Sequence, residues 1–349
     1  MSAFSTKIIA WQKRAGRHDL PWQQTEDAYR IWLSEIMLQQ TQVAAVVPYY
    51  QRFLARFPDV ATLASASLDE VMPYWAGLGY YARARNLHRA ATLIATVHGG
   101  IFPRDVDAIL ALPGIGRSTA AAIAAFAFGE RRAILDGNVK RVFARHFGVA
   151  GNVKTTAVEN TLWTLAETNL PRTAIEAYTQ GLMDLGATVC TRSQPNCAAC
   201  PVKKTCVGHT EDRVKSLPGR GEKRAVPHRQ IRMLVIRRGR EVLLERRPPT
   251  GIWGGLWSFP ELAIEADIAA HLRLRHGYNI CHVQDLPPVE HGFTHFSLTI
   301  FPTEIVPGDL PHRVMEPGLI WQNLDGAPSA GVPAPVTRIL GALAASLRR

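Results

Sequence analysis

Long apolar runs are missing from this chain. The longest, Ala120 to Phe128, is far short of the roughly 20 residues that cross a bilayer, so no membrane partner is expected. The first twenty residues also lack the uninterrupted apolar stretch and small-residue cleavage site of an export signal, because Lys7, Lys13, Arg14 and Arg17 break them up. A soluble, cytoplasmic protein is expected. Cysteine is scarce, five in 349 residues, and in a reducing compartment so few are metal ligands or free thiols rather than disulfides. Acidic residues are in deficit, 29 against 40 Lys and Arg, for a net charge of +11. Such an excess suits a chain that neutralises phosphates.

The length exceeds what one core usually organises, and two domains are expected. From Thr6 to about Gly208 apolar residues recur at spacings of three and four, as in Leu87, Ala90, Ala91, Ile94 and Val97, the period of packed helices. A Pro-, Gly- and charge-rich segment follows, Lys215 to Pro227, and reads as a linker. Beyond it come short strand-like segments, Ile231 to Ile236, Val242 to Glu245 and Phe296 to Phe301. One helix is expected over Ile264 to Arg275. Another is expected to carry Val336, Ile339, Leu340, Leu343 and Leu347 on one face. The expected domains are 1–208, mainly α, and 230–349, α+β, joined by a linker at 209–229.

Four of the cysteines, Cys190, Cys197, Cys200 and Cys206, are separated by six, two and five residues, while Cys281 stands alone. Thiolates crowded in this way close on one metal centre. Structural zinc sites usually pair two short knuckles, and only Cys197 to Cys200 forms one here. A 4Fe-4S cluster is favoured, with zinc as its competitor, because thiolates serve either metal.

Leu112-Pro-Gly-Ile-Gly-Arg-Ser-Thr-Ala120 places Gly114 and Gly116 in a tight turn opening onto an Ala-rich helix. Without side chains there, the backbone can bring helix N-terminal amides close to a phosphate; a plain turn between two packed helices is the other reading. Further on, Ile134-Leu-Asp-Gly-Asn-Val-Lys-Arg141 holds Asp136 after an apolar pair and before an amide and two cations. Asp136 can be a helix N-cap, or a carboxylate held beside DNA by cations.

These blocks together resemble the helix-hairpin-helix base-excision glycosylases that carry an iron-sulfur cluster, and most closely the adenine DNA glycosylases of the MutY type. Leu20-Pro-Trp22, Trp32 to Val43, Gly77 to Asn86, the glycine turn, Leu135 to Arg141 and the cysteine spacing all look like that family. The resemblance implies two helical subdomains with a 4Fe-4S loop, clamping DNA and flipping a base into the cleft between them. Asp136 then matches the carboxylate that stabilises an oxocarbenium-like sugar or attacks it, and Asn138 holds it. Glu35 matches the acid that protonates adenine N7; its helical neighbours Ile31, Trp32, Leu38 and Gln39 are mostly apolar, which favours the neutral carboxyl. DNA contacts carried over are Trp22, Gln40, Thr41, Leu78, Tyr80, Gly114, Gly116, Ser118 and Lys140, with Leu20 and Arg83 as weaker matches. Arg192, Lys203 and Lys204 are expected to meet phosphates from the cysteine loop. Relatives that also cut the strand place a Schiff-base lysine where this chain has Ser118, so a monofunctional enzyme is implied. The implied partner is duplex DNA with adenine opposite 8-oxoguanine or guanine, bound by a monomer. If the source is bacterial, the protein is expected on the nucleoid.

Gly254 to Glu261 resembles the opening of a Nudix box, yet Ala269, Ala270, Arg273 and Leu274 stand where its magnesium-binding cluster belongs. A Nudix-like fold without nucleotide hydrolysis is expected. Phe293-Thr294-His295 matches the Phe-Ser-His by which the family's C-terminal domain reads the oxidised guanine. Three competing functions are a pyrimidine-damage glycosylase with lyase activity, a non-catalytic damage sensor and a nucleotide-pool hydrolase. Ser118, the Glu35 and Asp136 pair, and the missing glutamates speak against each in turn.

Overall fold

Small side chains decide how closely the N-terminal helices approach. In the Arg117–Phe128 helix, Ala120 to Ala125 are all buried, and this face lies against the Ala28–Leu38 helix. Ala121, Ala122 and Ala125 share one core with Val139, Val142 and Phe143 of the Gly137–His146 helix and with Ile175, Tyr178 and Leu182 of the Ile175–Asp184 helix. The Ala3–Ala15 helix adds Phe4, Ile8 and Ile9. Gly181 permits that approach, since a Cβ there would stand 2.9 Å from Ile8 Cγ2. Phe143 is wholly buried, a position where truncation to Ala costs about 3–5 kcal/mol.

The structure, a computed structural model, describes residues 2–219, 221, 225–293, 295–308, 317–326 and 330–347. Among these, no helix is long and apolar enough to cross a membrane. The chain divides into two compact units, one of residues 1–65 with 86–223, the other of 66–85 with 224–349. Grouping 66–85 with the C-terminal residues departs from the sequence division, which kept it in the N-terminal domain. Its contacts supply the reason: Asp69 pairs with Arg246 at 2.7 Å, Arg85 donates to the Gly254 carbonyl at 2.6 Å, and a Cβ on Gly331 would stand 3.0 Å from Met72 Cβ.

The second unit is built on strands β1 (His228–Arg238), β2 (Glu241–Arg246), β3 (Trp257–Ser258), β4 (Glu261–Leu262), β5 (Ile280–Asp285), β6 (Val289–Gly292), β7 (Ser297–Pro307) and β8 (Leu319–Asn323). The central order is β3-β2-β1-β7-β5, with β4 on β1, β6 on β7 and β8 on β2. The β1–β7 pair is parallel, from His228 opposite Ser297 to Ile236 opposite Ile305, and the other pairs are antiparallel. Met233 to Ile236 are all buried, as expected of a strand covered on both faces. Leu234, Ile236, Leu243 and Ile305 cluster with Leu272 of the Ile268–His276 helix. That helix begins four residues later than its sequence pattern indicates. The Asp267 carboxylate accepts from the Ala269 and Ala270 amides and sets the start. The last helix, Ala334–Ser346, buries Val336, Ile339, Leu340 and Leu343 of the face read from the sequence, while Leu347 is its C-cap and only half-buried.

Candidate active site

The loop after the first helix, the segment around Asp136 and faces of the Ala28–Leu38, Arg117–Phe128 and Ile175–Asp184 helices line a cavity of about 970 Å³ in the first unit. Of the residues singled out in the sequence, Leu20, Trp22, Glu35, Thr41, Ser118, Asp136 and Asn138 line it. Trp22 is anchored from behind. The fully buried Asp184 accepts from the Arg17 amide at 2.9 Å and from its guanidinium Nε at 2.7 Å, which ties down the loop after the first helix. The Trp22 ring meets Tyr50 edge-on, 5.3 Å between centroids.

Asp136 is the helix N-cap that the sequence allowed, and it also lines the cavity. It caps the Gly137–His146 helix, its Oδ1 accepting from the Val139 amide at 2.8 Å, and its carboxylate faces the cavity. Burial raises its pKa, while the Val139 amide, the Arg141 guanidinium and Asn138 pull it back toward the charged form. Arg141, noted from sequence only as one of two cations after Asp136, is the hub here. It donates to Asn138 Oδ1 at 2.8 Å, to the Gly186 carbonyl at 2.6 Å and to the Cys190 carbonyl at 2.8 Å. Asn138 fits against Gly186 only because the latter has no side chain; a Cβ would stand 2.5 Å from Asn138 Cβ.

Glu35 sits across the cavity on the Ala28–Leu38 helix, with Ile31, Ser34 and Leu38 beside it in the wall. Loss of water around its carboxyl, and then the charge of Asp136, push its pKa up to about 8. Asp136 has amides and a cation that oppose its shift; both influences on Glu35 act in the one direction. The wall therefore carries one carboxyl held neutral at pH 7 and able to donate a proton, and a second whose rise two amides and a cation oppose.

At the glycine turn, Gly114 has φ +83° and a Cβ would lie 2.8 Å from Asn86 Cβ, so conformation and packing both require glycine. Gly116 has open space above it and is the N-cap of the Arg117–Phe128 helix, with no side chain capping the end. Ser118 Oγ accepts from the Leu135 amide at 3.0 Å, which joins the turn to the segment before Asp136. Lys140 pairs with Glu159 at 2.7 Å. Gln40 is exposed with φ +58°. In the second unit, Leu78 is buried and Tyr80 is exposed with φ +52°. Positive φ is rare for such side chains and marks imposed conformation. Arg83 is buried, its guanidinium against the Trp75 and Tyr80 rings. Of the 293–295 set, Phe293 stacks on Phe296 at 4.2 Å and His295 is exposed, while Thr294 lies outside the described residues.

The four cysteines follow one another around a loop with no disulfide among them. Cys190 ends the π-helical turn Leu185–Val189, Cys197 and Cys200 bracket a 3₁₀ turn, and Cys206 caps a short helix. The buried Arg145 organises the loop, donating to Cys190 Sγ at 3.4 Å and to the carbonyls of Thr191, Arg192 and Leu217. The Cys200 thiol is pushed up to about 11, by burial and then by the charges of the other three. Among the described residues no three His, Cys, Asp or Glu side chains converge to hold a single metal ion. Arg192, Lys203 and Lys204 are exposed on this loop.

Residues 33–168 match the HhH-GPD superfamily of base excision DNA repair proteins, and residues 232–342 match the NUDIX domain family. The adenine DNA glycosylase of Buchnera aphidicola subsp. Baizongia pistaciae is 36% identical over 97% of this chain and 95% of its own. The human adenine DNA glycosylase is 31% identical over 97% of this chain and 73% of its own. Among solved structures, a thermostable thymine-DNA glycosylase is 32% identical with a TM-score of 0.55, over 60% of this chain and 95% of its own. A trapped endonuclease III–DNA covalent intermediate, 20% identical with a TM-score of 0.51 over 60% of this chain and 94% of its own, shares the fold. Two buried carboxyls on one cavity of a helical unit, and a Nudix-like unit beyond it in the chain, thus meet near full-length similarity, and the chain belongs to the adenine DNA glycosylase family, the DNA glycosylases of base excision repair.

Proposed function

We propose that the protein is a monofunctional adenine DNA glycosylase that hydrolyses the N-glycosidic bond of adenine opposite 8-oxoguanine or guanine in duplex DNA. The observation that carries this reading is that Glu35 and Asp136 line one cavity, where burial and the Asp136 charge raise the Glu35 pKa while amides and the Arg141 cation oppose the rise at Asp136. Adenine leaves poorly as an anion, and Glu35, neutral at pH 7, donates a proton to N7 of the flipped base. The sugar left behind acquires positive charge, and Asp136 stabilises it directly or as a transient ester on the logic of a retaining glycosidase. Asn138, bridged to Arg141, keeps the Asp136 carboxylate aimed. Trp22 lines the base pocket, and Thr41 and Gln40 contact DNA from the first unit; Leu78 and Tyr80 contact it from the second. Water completes the reaction. Ser118 offers a hydroxyl already engaged with Leu135, which cannot form an imine, so an abasic site is the product.

The uncapped end at Gly116, and the open space over it, suit a phosphate, with Gly114 shaping the turn; Lys140 adds positive potential nearby. Cys190, Cys197, Cys200 and Cys206 would hold a 4Fe-4S cluster, a one-electron carrier that here chiefly shapes the basic loop. The donor set fits a metal centre: the half-buried thiols of Cys200 and Cys206, held above the usual thiol range by burial and by the other cysteines, need a positive centre to ionise. The segment from Phe293 through Thr294 to His295 would carry recognition of the oxidised guanine. The enzyme would act as a monomer in the cytoplasm or on the nucleoid.

The test uses duplexes with adenine opposite 8-oxoguanine, adenine opposite guanine, and oxidised thymine, incubated and then treated with alkali. Alkali-dependent breaks at adenine in the first two are expected. Breaks at oxidised thymine, or breaks without alkali in stoichiometric yield, would favour the pyrimidine-damage lyase instead.

A further inference from the structure

Trp253 is a buried tryptophan with φ +54°, a conformation unfavourable for a bulky side chain and retained only where surroundings impose it. Its turn is locked from several sides. The Gly255 amide donates to the Pro248 carbonyl at 3.0 Å, the Leu256 amide to the Trp253 carbonyl at 2.9 Å, and Arg85 to the Gly254 carbonyl at 2.6 Å. A Cβ at Gly254 would lie 2.7 Å from the Pro249 carbonyl oxygen. The strained backbone aims one indole. That indole touches His291 at 5.7 Å and Phe293 at 5.6 Å between centroids. His291 meets Phe293 edge-on at 4.6 Å, Phe293 stacks on Phe296 at 4.2 Å, and the Arg229 guanidinium covers the Phe296 ring at 4.8 Å. The Phe293 amide closes the turn on the Phe296 carbonyl at 2.9 Å. Phe293 is therefore enclosed by rings, whereas His295 is exposed.

We propose that Trp253 is a specificity-determining positioning residue. It seats Phe293, which acts as a packed support rather than a reader, and so presents His295 to the base opposite the adenine. The inference rests on the reading that the 293–295 segment senses the lesion. Through Gly254 and Arg85 the same turn is tied to the segment that carries Tyr80, so both lesion-facing elements share one anchor.

The experiment compares single-turnover adenine excision opposite 8-oxoguanine and opposite guanine, using the full chain with Trp253→Ala, Trp253→Phe and His295→Ala. Trp253→Ala is expected to lower the ratio of the two rates roughly two- to tenfold, the size of one or two aromatic contacts. Trp253→Phe should restore most of it, and a general loss of folding would lower excision opposite both bases alike and leave the ratio unchanged. If Trp253→Ala lowers the thermal midpoint, the ratio is read instead from Trp253→Phe against Trp253→Leu, which differ in the ring while both keep a large apolar side chain. An unchanged ratio in the Trp253 variants beside a reduced one in His295→Ala overturns the positioning role alone. An unchanged ratio in all of them overturns the lesion-sensing reading beneath it.

Discussion

At the scale of the residue, the two carboxyls are distinguished by what opposes burial. Glu35 has its pKa raised to about 8, so as a proton donor it is active below that pH. Single-turnover excision should hold steady toward neutral pH and fall about tenfold per unit above 8, a profile read by quench-flow. Glu35→Gln should retain duplex binding and lose about 10²- to 10⁴-fold in excision; full activity in that variant rules out the assignment. The same shift bears on stability. A folded pKa above the unfolded one contributes stability that is full below the unfolded pKa and lost as pH rises through about 8. The glutamine variant should therefore melt at a higher temperature than the parent at pH 8, and the gap should close in acid. Asn138 and Arg141 act on Asp136 at one remove, so Arg141→Ala should lower the excision rate while changing substrate affinity less.

At the scale of the element, the glycine turn and the helix starts are the sensitive points. Gly114→Ala meets both a left-handed φ and the Asn86 side chain, and should cost about 1–3 kcal/mol in chemical unfolding. Ser118→Lys brings in an amine and removes the bond to the Leu135 amide. Borohydride trapping of a DNA adduct should rise in that variant, while excision falls. Helix starts were only partly legible. The final helix showed its face in the spacing of Val336, Ile339, Leu340 and Leu343. The apolar pattern around 268–276 instead ran on past the cap at Asp267, because periodicity does not register which carboxylate takes the first amides. The parallel pairing of β1 with β7 brings together segments distant in sequence, and no local signal announces it.

At the scale of the whole molecule, removing residues after 223 takes away the partners of 66–85, including Arg246 for Asp69 and Gly254 for Arg85. The shortened chain is expected to lose more discrimination between oxidised and normal guanine than excision rate, and to melt earlier. Paired rate and melting measurements check both parts. The net charge of +11 acts at this scale too. Replacing Arg192, Lys203 and Lys204 by alanine should weaken binding to all duplexes alike. The slope of log affinity against log salt should flatten by about 0.9 for each phosphate that is no longer neutralised.

The residue types and their spacing by themselves determined the chemistry this chain can offer: a cysteine set, a glycine turn opening a helix, serine in place of lysine at 118, and a Nudix-like segment stripped of its carboxylates. The cysteine set and the glycine turn are short-range patterns that sterics and valence are enough to read; the serine at 118 and the missing carboxylates are legible only beside the family the chain resembles. Tertiary structure alone decided that Glu35 and Asp136 share a cavity, that Arg141 links Asn138 to the Cys190 loop, and that 66–85 joins the C-terminal unit. Each depends on burial or on a contact between segments far apart in the chain. Desolvation turns an ordinary glutamate into an acid with a pKa of about 8, and it exists only once the core has closed around it.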